Sequence, residues 1–549
     1  MKKKLNRRDF LVSSVQSLGA MGIGSEMIGM LFGSVYSKAL ASEMGSVALN
    51  SDGFRYIYVS LSGGPPRWMF DMLPTPNDPI KDNFVSGGFG NAFQIAGNKV
   101  EVVNKTFAYS YGSGNKLYLP PVWGMSPSGS DFKSLLPHTL FIRGIDMEIN
   151  SHPLSNSRQV APIFGGKSLH GVIADLMGSP IPAVVNGSPS GLAFKSDKGL
   201  GSVNADYSNN PVSSIISPFK NLPNNISYRT NEVQPIIDQF LNRIERYAES
   251  NRIPSSTLKE AHDSANQLIQ LNIDSLALNW NSLLSKYTAI VNEALNSKYD
   301  ELVGVNDKPI PLIAGDLRFK YAKTGSGDAL LDLSDAREMI DGNVQKIEIS
   351  RQFALTEFLM TTGICSVVDL NCAGNVLNNV KVSSSKRGAI VCDQHDVGSV
   401  TSVIATTHFY RGLLAAMTEL VKVLKDKRVF NKTIIHISSE FNRSPRADGA
   451  GSDHGIKGGS ASLISGMFNE VAFIGNILKD GTPSNPGTWG VAADWEFENG
   501  DKRPIHVNDI ARSITAMTGA KDIVSNGYPL VQPSGNGFWV PKKAGGKNV

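Results

Sequence analysis

One short stretch of the chain, ISSEFNRSPRADGAGSDHG from Ile437 to Gly455, concentrates side chains that can do chemistry. It holds a carboxylate at Glu440, guanidinium groups at Arg443 and Arg446, and an imidazole at His454. An apolar run leads into the stretch, and glycines flank the histidine. A loop that only connects two elements does not need this combination, so the stretch is predicted to contribute to a functional site.

Two further segments bring acids or a histidine to the ends of predicted strands. The segment FRYIYVSL, 54–61, is predicted to be a buried strand, and Asp71 follows it. A short run at 389–391 is predicted to be a strand that leads to Asp393 and His395. Ligands of an open α/β sheet bind outside the carboxyl ends of its strands, so these groups are expected to meet there.

Together these residues form a set of carboxylate and imidazole groups that suits one or two divalent metal ions. The candidate metal ligands are Asp71, Asp393, His395, Glu440 and His454. Imidazole and carboxylate ligands fit zinc or manganese, whereas an oxygen-richer version of the site fits calcium or magnesium. The alternative interpretation is that these acids and histidines are solvated loop residues without a ligand.

Arg443 lies next to this set in the sequence and has two interpretations. Its guanidinium group could bind an anionic substrate through a bidentate contact, which would make Arg443 a substrate-binding residue. It could equally pair with a neighbouring acid. Both interpretations stay open on the sequence alone.

The elements that must position these residues alternate between strands and helices. Strands are also predicted at 140–143, 183–186, 365–371, 432–438 and 471–476. Amphipathic helices are predicted at 168–178, 398–426 and 507–519, the first and last of them ending on a glycine. This alternation favours an α/β fold with a mostly parallel central sheet, predicted to span residues 50–549.

One region, residues 231–303, has a different character. Its apolar residues recur at i, i+3, i+4 and i+7, which predicts a helical block. The block is interpreted as an insertion or cap over the α/β domain. A coiled-coil partner helix is the alternative, but strict heptads are not sustained.

The N-terminal residues 1–41 are predicted to be an export signal. A basic start contains the pair Arg7-Arg8, a moderately apolar segment follows, and the segment closes on the small-x-small pattern at 39–41. The arginine pair favours the twin-arginine pathway over a Sec signal. Glu26 disfavours a membrane anchor, because an acid in the middle of a membrane span is costly. The mature protein is therefore expected to be periplasmic or secreted, with the twin-arginine export machinery as a partner and without a membrane span.

Composition and charge narrow the function classes further. The chain has 549 residues, 41% of them hydrophobic, and a formal net charge of +4 without a dense Lys/Arg block beyond the N-terminus, which disfavours nucleic-acid binding. Three cysteines, Cys365, Cys372 and Cys392, permit one disulfide, with Cys365 to Cys372 as the candidate pair. Buried thiols are the alternative.

Three islands of the sequence together resemble one bacterial family. The segment SEFNRSPR with the later DHG resembles an S-E-F-G-R-T-P-R…D-H-G motif, CDQHD resembles a W-D-T-H segment, and SLSGGPPRWMFDMLPTP resembles a G-G-P-S-x-x-D-T-F-D-P-K-P start. These motifs are typical of domain-of-unknown-function family 1501, which is similar to the alkaline phosphatase and sulfatase superfamily. The resemblance implies an alkaline-phosphatase-like three-layer sandwich with a mostly parallel central sheet and a helical insertion.

The resemblance also implies a two-metal site and roles for the candidate ligands. Asp71 would be the first ligand, Asp393 and His395 would form a pair, Glu440 would belong to the third motif, and His454 would be the last ligand. One departure is that Phe441 follows the acid, where phosphatases have a histidine.

The function implied is an exported, metal-dependent hydrolase of small anionic phosphate or sulfate esters. The nucleophile is unassigned: Ser151, Ser155 and Ser157 are available near His152, but none has a diagnostic context. The C-x-P-x-R motif of sulfatases is absent from the sequence. The alternative is a non-catalytic periplasmic binding or scaffold protein that has the same fold.

Overall fold

The computed structural model describes residues 53–72, 91–96, 99–104, 107–112, 114–124, 132–179, 181–185, 189–205, 211–212, 273–296, 346–372, 375–383, 386–397, 399–445, 451–478 and 491–542. The predicted export signal at 1–41 lies outside the described residues, as does most of the predicted helical block at 231–303.

A central sheet of eight strands organises the molecule. In chain order the strands are β1 Arg55–Ser60, β2 Thr139–Ile145, β3 Val184–Val185, β4 Val203–Asn204, β5 Val367–Asn371, β6 Thr433–Ser438, β7 Gly459–Ser465 and β8 Ala472–Ile474. Their order across the sheet is β8-β2-β7-β6-β1-β5-β3-β4. Only β7 runs against its neighbours, so the predicted mostly parallel α/β sheet is confirmed.

Seven helices accompany the sheet in the described residues. They are α1 His152–Arg158, α2 Leu169–Met177, α3 Pro189–Leu192, α4 Ile273–Asn296, α5 Lys346–Thr362, α6 Ser399–Asp426 and α7 Val507–Thr518. The boundaries of α2 have clear causes. The Ser168 hydroxyl accepts a hydrogen bond from the Gly171 amide at the start, and Gly178 adopts the left-handed conformation at the end.

The strands are buried on both faces because helices cover both. In β1, Ile57 and Val59 pack into the hydrophobic core shared with α4, α5 and α6. The alternate residues Tyr56 and Tyr58 pack into a second core with α2 and α7. Successive side chains of a strand point to opposite faces, so this division places the sheet between two helical layers.

Short antiparallel pairs surround the central sheet. They are Asn91–Ala96 with Lys99–Asn104, Phe107–Tyr111 with Asn115–Leu119, Asn375–Ser383 with Lys386–Val391, Asn442–Pro445 with Ser452–Gly455, Ile477–Leu478 with Val491–Ala492, Trp495–Glu496 with Lys502–Arg503, and Val531–Pro533 with Trp539–Pro541. Short 3-10 helices lie at Arg67–Met69, Pro121–Gly124, Phe132–His138 and Phe430–Lys432.

One predicted strand belongs to such a pair and not to the central sheet. The run at 389–391 is the end of Lys386–Val391, which pairs with Asn375–Ser383 in a separate antiparallel hairpin. The expectation that this run is a strand of the central sheet is therefore wrong. A hairpin presents these residues instead.

The helical block and the cysteines can be compared with their predictions in part. Helix α4 lies within the predicted block and packs against α5 and α6, and the interpretation of the block as an insertion or cap stays a prediction. All three cysteines are free and buried, which confirms the buried-thiol alternative. Burial raises the pKa of Cys365 to about 12, so this thiol is inert at neutral pH.

No helix in the described part of the chain is both long enough and apolar enough to cross a membrane.

Two histidines are buried in the core, one in a central strand and one in a helix that covers the sheet. His170 of α2 and His436 of β6 are both 0% exposed. The Tyr56 hydroxyl lies 2.9 Å from Nδ1 of His436, and Asp369 lies 3.7 Å from Nε2 of His170. Burial lowers the pKa of each histidine to about 3, so both rings are neutral in the folded protein at pH 7.

This burial predicts a loss of stability in mild acid. Below about pH 6.5 the unfolded chain takes up a proton on each of these histidines and the folded chain does not, so the free energy of unfolding falls as pH drops toward 3. Each histidine is expected to contribute a loss of about 2 kcal/mol between pH 6.5 and pH 5. Urea unfolding at the two pH values measures the loss, and the His170→Gln variant should show a smaller one. Equal losses in both proteins would contradict this account.

Candidate metal centre

Four side chains converge at one point beside the central sheet. They are His152, Asp393, His395 and His454, and one potential ligand atom from each lies within 4.8 Å of all the others. Nε2 of His395 lies 2.9 Å from Nε2 of His454 and 3.4 Å from Oδ1 of Asp393. Nε2 of His152 lies 3.5 Å from Oδ2 of Asp393. Nε2 of His152 and Nε2 of His395 therefore face the Asp393 carboxylate, and Nε2 of His454 faces Nε2 of His395.

Hydrogen bonds on the far sides of two rings fix this orientation. His152 donates from Nδ1 to Oε1 of Glu440 across 2.8 Å. His454 donates from Nδ1 to Oδ1 of Asn150. A neutral imidazole that donates from Nδ1 has its lone pair on Nε2, which is the form that binds a metal.

The third member of the convergence, Asp393, is held by a buried arginine. The Arg443 guanidinium is 0% exposed, and its Nη2 donates to Oδ1 of Asp393. The same nitrogen donates to the Gly63 carbonyl across 2.6 Å, and Nε donates to the Gly64 carbonyl across 2.9 Å. The structure therefore favours the acid-pairing interpretation of Arg443. Its predicted substrate contact stays a prediction that this buried geometry does not support.

A hairpin brings Arg443 and His454 together. Asn442–Pro445 pairs with Ser452–Gly455 in an antiparallel register that sets Arg443 directly opposite His454. The hairpin also reaches the loop that carries the other histidine, because the Ser452 amide donates to the His395 carbonyl across 3.1 Å. The register therefore places His454 beside Arg443, which in turn contacts Asp393.

The glycine pair after β1 allows the backbone to pass close to this hairpin. Gly63 has a φ of +100° and Gly64 a φ of +61°, values that favour glycine. A Cβ at Gly63 would lie 2.8 Å from the Cβ of Cys392, and one at Gly64 would lie 2.8 Å from the Phe441 ring. The Gly63 amide donates to Oε1 of Glu440 across 2.6 Å. Only glycine at these positions lets the backbone supply those contacts.

Glu440 lies behind the cluster and not among its ligands. Its Oε1 accepts from the Gly63 amide and from His152, so it orients the ring that the cluster uses. Its Oε2 is buried and has no hydrogen-bond partner among the described residues. That oxygen is free to accept a hydrogen bond or to bind a cation, so the predicted ligand role of Glu440 stays a prediction.

Asp71 lies in the core and is absent from the cluster of described ligands. Its oxygens accept from Nε and Nη2 of Arg67, four residues earlier, and from the hydroxyls of Ser460 and Ser462. These donors satisfy both carboxylate oxygens in a buried ion pair. The geometry therefore gives Asp71 a structural role, and its ligand role has no support from these contacts.

The imidazole of His454 is neutral at pH 7. Burial lowers the pKa of His454 to about 4, and the positive charge of Arg443 and the neighbouring rings of His152 and His395 act in the same direction. The ring also stacks on Phe441, with centroids 3.9 Å apart. A neutral, oriented imidazole is ready to bind a metal at neutral pH.

His152 is the candidate ligand that sequence reasoning missed. It follows the predicted strand at 140–143 among three serines, but it belongs to no motif of the resemblance. Its one signal is position: it begins α1 shortly after β2, the strand next to β7. Spacing in the sequence does not reveal that this turn faces the hairpin of Arg443.

No family model, curated protein or solved structure matches this chain. The resemblance to domain-of-unknown-function family 1501 therefore rests on its three motifs and stays a prediction. The α/β sheet and the cluster are findings of the structure that do not depend on it.

The bond from His152 to Glu440 predicts a measurable effect on metal affinity. In a Glu440→Gln variant the acceptor loses its charge, so His152 is less basic and less firmly oriented. We expect zinc to bind about 10- to 100-fold more weakly, as for other residues that support a metal-binding histidine. Competition with a chromophoric chelator measures this affinity, and Glu348→Gln, on α5 away from the cluster, is the matched control. Equal affinities in the native protein and Glu440→Gln would contradict the orienting role.

Proposed function

We propose that His152, Asp393, His395 and His454 form a divalent metal centre, and that the protein is an exported hydrolase of phosphate or sulfate esters. The observation that carries the proposal is the convergence of three imidazoles and one carboxylate, with one potential ligand atom from each within 4.8 Å of the others. The resemblance expects two metals. Among the described residues one such group of ligands converges, so the proposal is for a single ion there.

The donor set fits a transition metal better than calcium. Three imidazole nitrogens and one carboxylate are ligands typical of zinc, and manganese is the second choice, whereas calcium takes oxygen ligands. The lone pairs are available because His152 and His454 use Nδ1 for other bonds. A bound divalent ion would supply Lewis acidity that polarises an ester oxygen.

Exposure of the ligands favours a site that admits a small molecule. The side chains of His152, His395 and Asp393 are 33%, 38% and 40% exposed, respectively. Ligands exposed to this degree are accessible to a small anionic ester, and zinc with four protein ligands can expand to five-coordinate when a further group binds.

Two buried groups of the chain keep the cluster in place. Arg443 holds Asp393 from the protein side, and Glu440 holds His152. Rigid support of this kind is what keeps ligands in position while a substrate exchanges. Both residues are therefore positioning residues in this proposal.

The second candidate function is a metal-binding protein without turnover. The hydrogen bonds of two serines near the cluster favour this candidate. The Ser155 hydroxyl donates to the Ile149 carbonyl, and the Ser157 hydroxyl donates to the Pro153 carbonyl. These bonds occupy two of the three hydroxyls that could act as a nucleophile. Ser151 makes no side-chain cap bond to α1 and remains the candidate hydroxyl.

The proposal predicts metal-dependent hydrolysis that requires the carboxylate of Asp393. The mature protein, loaded with zinc or manganese, should hydrolyse p-nitrophenyl phosphate or p-nitrophenyl sulfate, and a chelator should abolish the activity. Asp393→Asn should lower kcat/KM by about 100-fold, because the cluster loses its carboxylate ligand.

Asp396, three residues along the same loop and outside the cluster, provides the matched control. Asp396→Asn should retain activity close to that of the native protein. Hydrolysis that survives chelation, or an equal loss in both variants, would contradict the hydrolase proposal. A loaded protein that holds its metal but turns over neither ester would favour the binding candidate.

A further inference from the structure

A large apolar cavity shares helix α1 with the cluster. Its volume is about 850 Å³, within the range of about 300–1,000 Å³ that is usual for small-molecule sites. Apolar side chains dominate the lining, among them Ile149, Leu154, Phe164, Leu192 and Phe194. None of these residues belongs to the cluster.

Residues that line the cavity alternate with residues that form or support the cluster along the segment 149–154. Ile149 lines the cavity, and the next residue, Asn150, accepts the hydrogen bond from His454. His152 belongs to the cluster, and the next two residues, Pro153 and Leu154, line the cavity again. Consecutive Cα atoms are about 3.8 Å apart, so the cavity wall and the cluster lie within a few residues of each other along this segment.

The chemistry of the lining selects an uncharged hydrocarbon group. Leu192 and Phe164 are 77% and 85% exposed at the cavity, an arrangement that costs free energy unless an apolar group covers it. The two cations of the lining already have partners. Arg158 pairs with Glu148 across 2.6 Å, and Nζ of Lys195 donates to the Gly165 carbonyl across 2.5 Å.

We propose that this cavity binds the alkyl or aryl group of an ester whose anionic group lies at the cluster. The substrate class would then be amphiphilic phosphate or sulfate esters, and not small polar ones. The placement of the anionic group rests on the proposed function. The binding of the hydrocarbon group rests on the cavity alone.

A chain-length series tests the assignment directly. Butyl phosphate and octyl phosphate, below its micellar concentration, are titrated by calorimetry into the zinc-loaded mature protein. Burial of one methylene group gives roughly a fourfold gain in affinity, so octyl phosphate should bind at least about tenfold more tightly than butyl phosphate. 1-Octanol, which carries no anionic group, should also bind.

Exposed leucines provide the variant and its matched control. Leu192→Asp places a charge at the cavity and should reduce the affinity for octyl phosphate to that for butyl phosphate. Leu176→Asp changes a leucine that is 47% exposed on α2, outside the lining, and should leave the chain-length preference intact. Because both positions are exposed, neither change is expected to prevent folding.

The outcomes separate the two proposals. Equal affinities for the two phosphates, no binding of 1-octanol, or the same loss of affinity in Leu176→Asp would overturn the cavity assignment. If another part of the chain fills the cavity, the two phosphates bind equally and the assignment also falls. A chain-length preference that is unchanged without zinc would support the cavity and count against the anionic group at the cluster. Zinc-dependent phosphate binding without a chain-length preference would overturn the cavity assignment and leave the metal centre standing.

Discussion

Arg443 carries a positive charge inside the fold, and a charge removed from water has to be compensated by an opposite charge or by carbonyl dipoles. Its partners come from separate parts of the chain: the Gly63 and Gly64 carbonyls after β1, and Asp393 after a peripheral hairpin. Its own strand places it opposite His454. The contacts of this one guanidinium group therefore join the central sheet, the hairpin and two members of the cluster.

The cluster brings two imidazole nitrogens within hydrogen-bonding distance, so either a proton or a cation lies between them. His454 donates from Nδ1 to Asn150, so its Nε2 lone pair faces Nε2 of His395 across 2.9 Å. Either His395 carries a proton on that nitrogen, or a cation is shared between the rings. Nε2 of His152 and the Asp393 carboxylate meet at the same point. A divalent ion satisfies all four ligands at once, which is the physical reason for preferring a metal centre to a set of solvated loop residues.

Much of the fold was predictable because local patterns and the final packing agree. The apolar strand at 54–61, the glycine-terminated helix at 168–178 and the long helix at 398–426 each bury the face that their periodicity indicates. The short run at 389–391 was placed in the wrong sheet. A run of three apolar residues does not distinguish a strand of the central sheet from one of a peripheral hairpin.

The site was predictable only in part, because contacts between distant segments decide which groups are free. Asp393, His395 and His454, which the sequence proposed as ligands, lie together in the cluster. Asp71 resembled a ligand in the sequence, but Arg67 and two serines of β7 neutralise and solvate its carboxylate in the core. His152 joined the cluster through the turn before α1, which no spacing rule indicates. Sequence patterns identify chemically capable residues, and tertiary pairing decides which of them are available.

We propose that three histidines and one aspartate of this chain bind a divalent ion. X-ray absorption at the zinc edge of the reconstituted mature protein tests it most directly, with the His395→Ala/His454→Ala double variant beside it. The account predicts about one zinc per chain, with imidazole scattering from about three rings and no sulfur, and loss of that signal in the variant. A native protein that stays metal-free after reconstitution, or a double variant with an unchanged spectrum, would contradict it.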